Sequence, residues 1–212
     1  TGQEAVWENT LRQYKMSEAE IRKFLVGPAY FAWQWMTNIE SIYGPLPQIW
    51  IDRSVQLEKK ILQRERELNI TPIMQGFTGY VPIELMQKFP NAQIQKKPTW
   101  FHVGPGTAQL DPMDPLFSKI SRTFLNEQTK LYGESHYYAA DPFHEGQPPK
   151  PGDAYLADVG KTIWENTVAV DPKATIVMQS WSIRKAIATA IPEDRLLVLE
   201  LKPCKMSSKC AL

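Results

Sequence analysis

The densest chemistry in the sequence is the run Asp141-Pro142-Phe143-His144-Glu145-Gly146-Gln147-Pro148-Pro149. Two acids, a histidine and an aromatic ring fall within five residues, and a glycine and two prolines close the run. A loop this stiff can hold a carboxyl in a fixed place, as general acid catalysis requires. The alternative, from spacing alone, is a surface loop whose acids cap the following helix. Elsewhere, Gln75-Gly76-Phe77-Thr78-Gly79-Tyr80 and Gln179-Ser180-Trp181 each follow a short apolar stretch. Trp33, Trp35, Trp100 and Phe101 stand in non-periodic segments. Amide, hydroxyl, carboxyl and indole together suit a sugar. The apolar face of a pyranose stacks on an aromatic ring, and its rim of hydroxyls takes hydrogen bonds. Any one of these tryptophans, taken singly, reads first as core packing; the sugar reading rests on their grouping.

Other chemistries find little support. The histidines are His102, His136 and His144, and no pair has the spacing of a zinc-binding helix. Asp141 with His144 comes nearest to a ligand pair, and neither a metal nor a cofactor is expected. No Gly-x-Ser-x-Gly elbow marks a serine nucleophile. Cys204 and Cys210 lie in the last nine residues, outside any folded site, so thiol catalysis is not expected. A net charge of +1 gives no electrostatic reason for nucleic acid as a partner. No apolar run reaches the roughly 18–20 residues of a membrane span.

The elements that must position these groups can be read along the chain. Residues 3–14 read as a helix. Ser17-Glu18-Ala19-Glu20 is a capping box that starts a second, ending near Gly27-Pro28. Residues 30–36 read as an aromatic loop. Beyond Gly44-Pro45-Leu46-Pro47, Ile51, Val55, Ile61, Leu62 and Leu68 recur at helical spacing, with Lys, Arg and Glu as the solvated face. Strand and helix then alternate, with strands near 70–75, 136–141, 174–180 and 195–200. Asp114-Pro115 caps and opens a helix carried to Gly133 by Phe117, Ile120, Phe124 and Leu131. Tyr155, Val159 and Ile163 mark another, and a short one starts at Ile183.

Leu196-Leu197-Val198-Leu199 is apolar throughout, as in a parallel sheet buried on both faces. The fold class is therefore α/β, with parallel strands and outer helices. A closed barrel needs eight strands and about 250 residues. At 212 residues with four strands, the chain is either a small open sheet or part of a barrel. The glycine fingerprints of nucleotide-binding sheets are absent. In such folds the strand-exit loops share one end, which predicts Gln75, Glu145 and Trp181 together.

Several segments carry a family resemblance. They are Thr-Gly-Gln-Glu-Ala-Val-Trp at the start, Gly-Pro-Ala-Tyr-Phe-Ala-Trp ending at Trp33, and Gly-Pro-Leu-Pro after Tyr43. Thr-Pro-Ile-Met-Gln-Gly-Phe-Thr-Gly-Tyr-Val-Pro, Asp-Pro-Phe-His-Glu-Gly-Gln-Pro-Pro and Leu-Leu-Val-Leu-Glu-Leu follow in the same order. Over residues 1–201 the chain resembles the α-N-acetylglucosaminidases, glycoside hydrolase family 89. The resemblance implies the central part of a (β/α)₈ TIM-barrel domain. It implies a retaining exo-glycosidase whose partner is a glycan with terminal α-linked N-acetylglucosamine. The implied compartment is secreted, periplasmic or lysosomal, although the chain carries no signal peptide.

Residue by residue, Glu145 matches the general acid/base, a role that burial among Trp and Phe would favour by raising its pKa. His144 falls where relatives often have Asn, as a sugar-hydroxyl contact. Trp33, Met36 and Trp100 match pocket positions, Trp164 falls where a relative has a pocket Tyr, and Trp181 forms a further wall. The family's nucleophilic Glu lies beyond the resemblance, so the chain is expected to be a truncated fragment, with residues 202–212 a disordered or unrelated tail. The competing readings are an inactive carbohydrate-binding remnant and, further off, a TIM-barrel deacetylase or lyase.

Overall fold

The computed structural model describes residues 1–200. The expected tail and both cysteines lie outside the described residues. The chain opens with α1 (Gln3–Arg12), whose Trp7 is 1% exposed and meets the rings of Phe24, Phe77, Tyr80 and Phe124. This single side chain ties the N-terminal helices to the rest of the core. The capping box forms as read: the Glu20 amide donates to Ser17 Oγ, and the Ser17 amide donates to Glu20 Oε2 at 2.8 Å, starting α2 (Glu18–Phe24).

The segment read as an aromatic loop is instead helical. A 3₁₀ turn at Pro28–Tyr30 leads directly into α3 (Phe31–Trp35). Its cause is tertiary: Gln34, fully buried, accepts from Val26 N at 3.1 Å and donates to Phe24 O at 2.8 Å. The long helix α4 (Gln48–Glu67) follows, and then β1 (Met74–Gln75).

After β1 comes a small unit with no counterpart in the sequence reading. It comprises β2 (Tyr80–Val81), α5 (Leu85–Lys88), β3 (Ile94–Lys96) and β4 (Ala108–Leu110). The strands form an antiparallel sheet in the order β2-β4-β3, pairing Tyr80 with Gln109 and Lys96 with Ala108. The chain then runs into α6 (Pro115–Tyr132), capped by Asp114 Oδ1 accepting from the Leu116 amide at 2.8 Å. Phe117, Ile120 and Phe124 are fully buried along one face of α6.

The remaining elements are β5 (Tyr137–Ala139), α7 (Asp153–Val168), β6 (Thr175–Gln179), α8 (Lys185–Ala188) and β7 (Leu196–Leu199). The main sheet is parallel throughout, in the order β1-β5-β6-β7, with Gln75 opposite Ala139 and Ala139 opposite Val177. All four expected strands are present, and helices α6, α7 and α8 lie in the three connections between them. This is a partial (β/α)₈ barrel. One expectation is corrected at its rim. β7 is not buried on both faces: Leu197 and Leu199 are 41% and 37% exposed, because β7 is an edge strand among the described residues. No helix among the described residues is long and apolar enough to cross a membrane.

Candidate active site

Parallel pairing brings the exits of β1, β5 and β6 to one end of the sheet. Gly76 makes the first approach possible. Its amide donates to Ala139 O at 2.7 Å, and a Cβ there would lie 2.7 Å from that same oxygen. Asp141, just past β5, accepts from the Gln179 amide at 2.7 Å, which hooks the β5 exit onto the end of β6. Burial pushes the Asp141 carboxyl above its usual range, offset in part by the Gln179 amide. Around these exits lies a cavity of about 370 Å³, whose lining includes Trp35, Met36, Gln75, Asp141, His144 and Gln179.

The β5 exit loop turns on Phe143, which is buried and held at φ 60°. A left-handed phenylalanine is uncommon and persists only where packing demands it. The Gly146 amide closes the turn on Phe143 O at 3.2 Å. The His144 ring meets Trp181 edge-on, centroids 4.3 Å apart, and Trp181 Nε1 donates to Gln179 Oε1 at 2.9 Å. His144 Nε2 is buried without a hydrogen-bond partner.

Glu145 lines a second cavity of about 290 Å³ together with Asn38, Lys97, Trp100, Thr107 and Gln147; Thr37 lines both cavities. Asn38 Nδ2 donates to Glu145 Oε2 at 2.6 Å. Arg184 holds the next residue by donating to Gly146 O at 3.1 Å. Lys97 packs on the same residue: a Cβ on Gly146 would lie 3.0 Å from its Nζ. Burial depresses the Lys97 amine below the ordinary lysine value.

The candidate residues divide accordingly. Met36 and His144 line the first cavity, and Trp100 and Glu145 the second. Trp33 stands beside Trp100 with ring centroids 6.5 Å apart, and Trp181 stands against His144. Trp164 lines neither cavity; it packs on the core from α7. The burial expected of Glu145 is also corrected. Glu145 is an exposed residue; in the same loop, burial raises the pKa of Asp141. Asn38, Thr37 and Lys97 were not foreseen. Their one sequence signal was proximity to Trp33, Met36 and Trp100.

Comparison with known proteins places these features in context. The model of the alpha-N-acetylglucosaminidase (NAGLU) TIM-barrel domain matches residues 1–207. The chain is 34% identical over 215 residues to alpha-N-acetylglucosaminidase from Homo sapiens, covering 95% of this chain and 29% of that protein. It is similar, with a TM-score of 0.85 and 29% identity, to a family 89 glycoside hydrolase from Clostridium perfringens in complex with 2-acetamido-1,2-dideoxynojirmycin. That match covers 93% of this chain and 23% of the clostridial one. A clostridial form with two glutamates replaced by glutamine, in complex with its substrate GlcNAc-α-1,4-galactose, matches with the same TM-score at 28% identity, over the same shares of the two chains. The chain thus spans less than a third of the length of these relatives.

Proposed function

Because this chain belongs to the α-N-acetylglucosaminidase TIM-barrel family, we propose that it supplies the sugar pocket and the acid/base of a retaining exo-glycosidase that releases terminal α-linked N-acetylglucosamine. The observation that carries the reading is the position of Glu145. It lies on the β5 exit loop, in the wall of one cavity and next in sequence to His144 of the other. The terminal sugar occupies the first cavity, against Trp35 and Met36, with Gln75, Gln179 and His144 for its polar rim. The departing residue occupies the second. Glu145, between them, protonates the glycosidic oxygen and then activates the water that releases the sugar.

Retaining hydrolysis requires a second carboxylate about 5–5.5 Å from the first. Two carboxyls line the first cavity among the described residues. Asp141 is engaged by Gln179, and burial raises the pKa of both Asp141 and Glu58, which disfavours the ionised form a nucleophile needs. We therefore assign the nucleophile to polypeptide beyond this chain, in keeping with the share of its relatives that the chain spans.

The test uses the full-length polypeptide that carries this domain. Glu145→Gln should lower kcat/KM on GlcNAc-α-1,4-galactose by about 10²–10⁴-fold, the contribution of a positioned acid. A dinitrophenyl α-N-acetylglucosaminide, whose leaving group needs little protonation, should lose far less. Equal losses on both substrates would remove Glu145 from the acid role. Sugar binding without turnover in the unmutated protein would favour the carbohydrate-binding remnant instead.

A further inference from the structure

Asn38 is 107 residues from Glu145 in sequence, yet its amide makes the 2.6 Å contact with that carboxyl. Its own place is closely determined. The Asn38 amide donates to Trp33 O at 2.9 Å, and Thr37, a β-branched residue, is forced to φ 68°. Thr107 Oγ1 donates to Thr37 O at 3.1 Å, from the residue just before β4. The Tyr80 hydroxyl donates to Ile39 O at 3.3 Å, from β2. Glu40 Oε1 accepts from the Ile83 amide at 3.0 Å. Residues 37–40 are thus clasped by the antiparallel unit on three sides, and Asn38, 6% exposed, is presented from that clasp to the carboxyl.

A carboxyl on an exposed loop residue has two equivalent oxygens and free rotation about its side-chain bonds. A donor fixed on one oxygen removes both freedoms. With Oε2 engaged by Asn38, the proton to be delivered resides on Oε1, and the carboxyl plane is held. Taking Glu145 as the acid, as proposed above, we infer that Asn38 is its positioning residue and that the antiparallel unit exists to hold Asn38 there. Asn38 acts through Glu145; it is not itself assigned to the substrate.

The experiment compares Asn38→Ala, Glu145→Gln and the double variant in the full-length polypeptide. Each is assayed on GlcNAc-α-1,4-galactose and on the dinitrophenyl α-N-acetylglucosaminide. A misaligned catalytic group costs on the order of 10²-fold. Asn38→Ala should therefore lower kcat on the disaccharide by about that factor with KM changed by less than about threefold. The loss in kcat/KM on the dinitrophenyl glycoside, which reads glycosylation and not the water-activating step that Glu145 also serves, should be at least about tenfold smaller. In the Glu145→Gln background, Asn38→Ala should cost almost nothing further, since residues acting as a unit are not additive.

Asn38→Leu keeps the size and branching of the side chain and removes the donor without adding a charge beside Glu145, so it provides the same readout if the alanine variant does not fold. A rise in KM, equal losses on both substrates, or additive losses in the double variant would overturn the inference and leave Asn38 as a packing residue. If Glu145→Gln itself shows no dependence on the leaving group, the acid assignment fails, and that failure is distinct from one confined to Asn38.

Discussion

Glu40 is the most perturbed acid near the site, and its replacement should reveal a pH-dependent weakness. The residue is fully buried, Oε1 accepts from the Ile83 amide, and Oε2 has no hydrogen-bond partner. Burial pushes its pKa to about 8, against 4.5 for an ordinary glutamate, and the nearby Glu84 adds to the rise. Lys23 lowers it only slightly, being engaged with Glu84 at 2.9 Å, and the Tyr80 hydroxyl also faces the carboxyl. The folded state therefore keeps a proton that the unfolded state releases, so stability falls as pH rises from 4.5 to about 8 and levels off above. At about 1.4 kcal/mol per unit of pKa, the loss is at most about 3 kcal/mol at pH 7. Glu40→Gln is neutral at every pH and escapes it.

The prediction concerns the difference between two proteins, which cancels the other titrating groups. For a domain of this size 1 kcal/mol shifts Tm by about 2–4 °C. The Tm of Glu40→Gln relative to the parent should therefore rise by about 5–10 °C between pH 5 and pH 7. Thermal denaturation followed by circular dichroism at four pH values is sufficient. Parallel Tm curves for the two proteins would show that Glu40 ionises freely, and the buried-acid argument would fail.

Two further outcomes follow from packing. Along α4 and its C-cap residue, Trp50, Leu57, Ile61 and Leu68 are 43%, 51%, 38% and 53% exposed, at a 7-4-7 spacing that makes one apolar stripe. The chain of this sequence should self-associate, and Trp50→Lys with Leu57→Lys should shift its sedimentation toward monomer. At Gly160 on α7, an added Cβ would lie 2.3 Å from Ile187 O, so α7 and α8 approach as closely as only glycine allows. Gly160→Ala should destabilise the fold by about 1–3 kcal/mol in urea denaturation, whereas a neutral result would mean that α8 shifts freely.

The parts of the fold that could be read in advance are those written in local chemistry. Ser17 and Glu20 satisfy each other's amides over one turn, and Asp114-Pro115 starts α6 without help from elsewhere. The parallel strands were legible because burial on most sides requires apolar runs such as Ile176-Val177-Met178. The antiparallel unit was not, because strands of two or three residues are too short to show alternation. Val81 and Ala108 are both fully buried while Gln109 lies between buried neighbours, so period two never emerges. α3 was misread for a related reason: its helicity depends on where Gln34 finds its partners, at Phe24 and Val26.

The site divides along the same line. Asp141, His144 and Glu145 could be found because the parallel-sheet rule sends every strand exit to one end, and glycine with proline marks a stiff loop. Their environments were less legible. The acid role led to an expectation of burial among Trp and Phe for Glu145, but in a turn at φ 60° Phe143 takes the buried place and Glu145 remains exposed. Asn38 left no signal beyond its nearness to Trp33 and Met36, because its contact depends on Thr37 in a strained conformation and on Thr107, Tyr80 and Ile83. All three belong to the unit that was itself unread. An orienting residue is thus hidden when the element that holds it is held by pairing rather than by propensity. Such a residue is found by asking what fixes an exposed carboxyl, since a lone glutamate on a loop has too much freedom to deliver a proton in one direction. At Glu145 that question leads to Asn38, and from Asn38 to the antiparallel sheet.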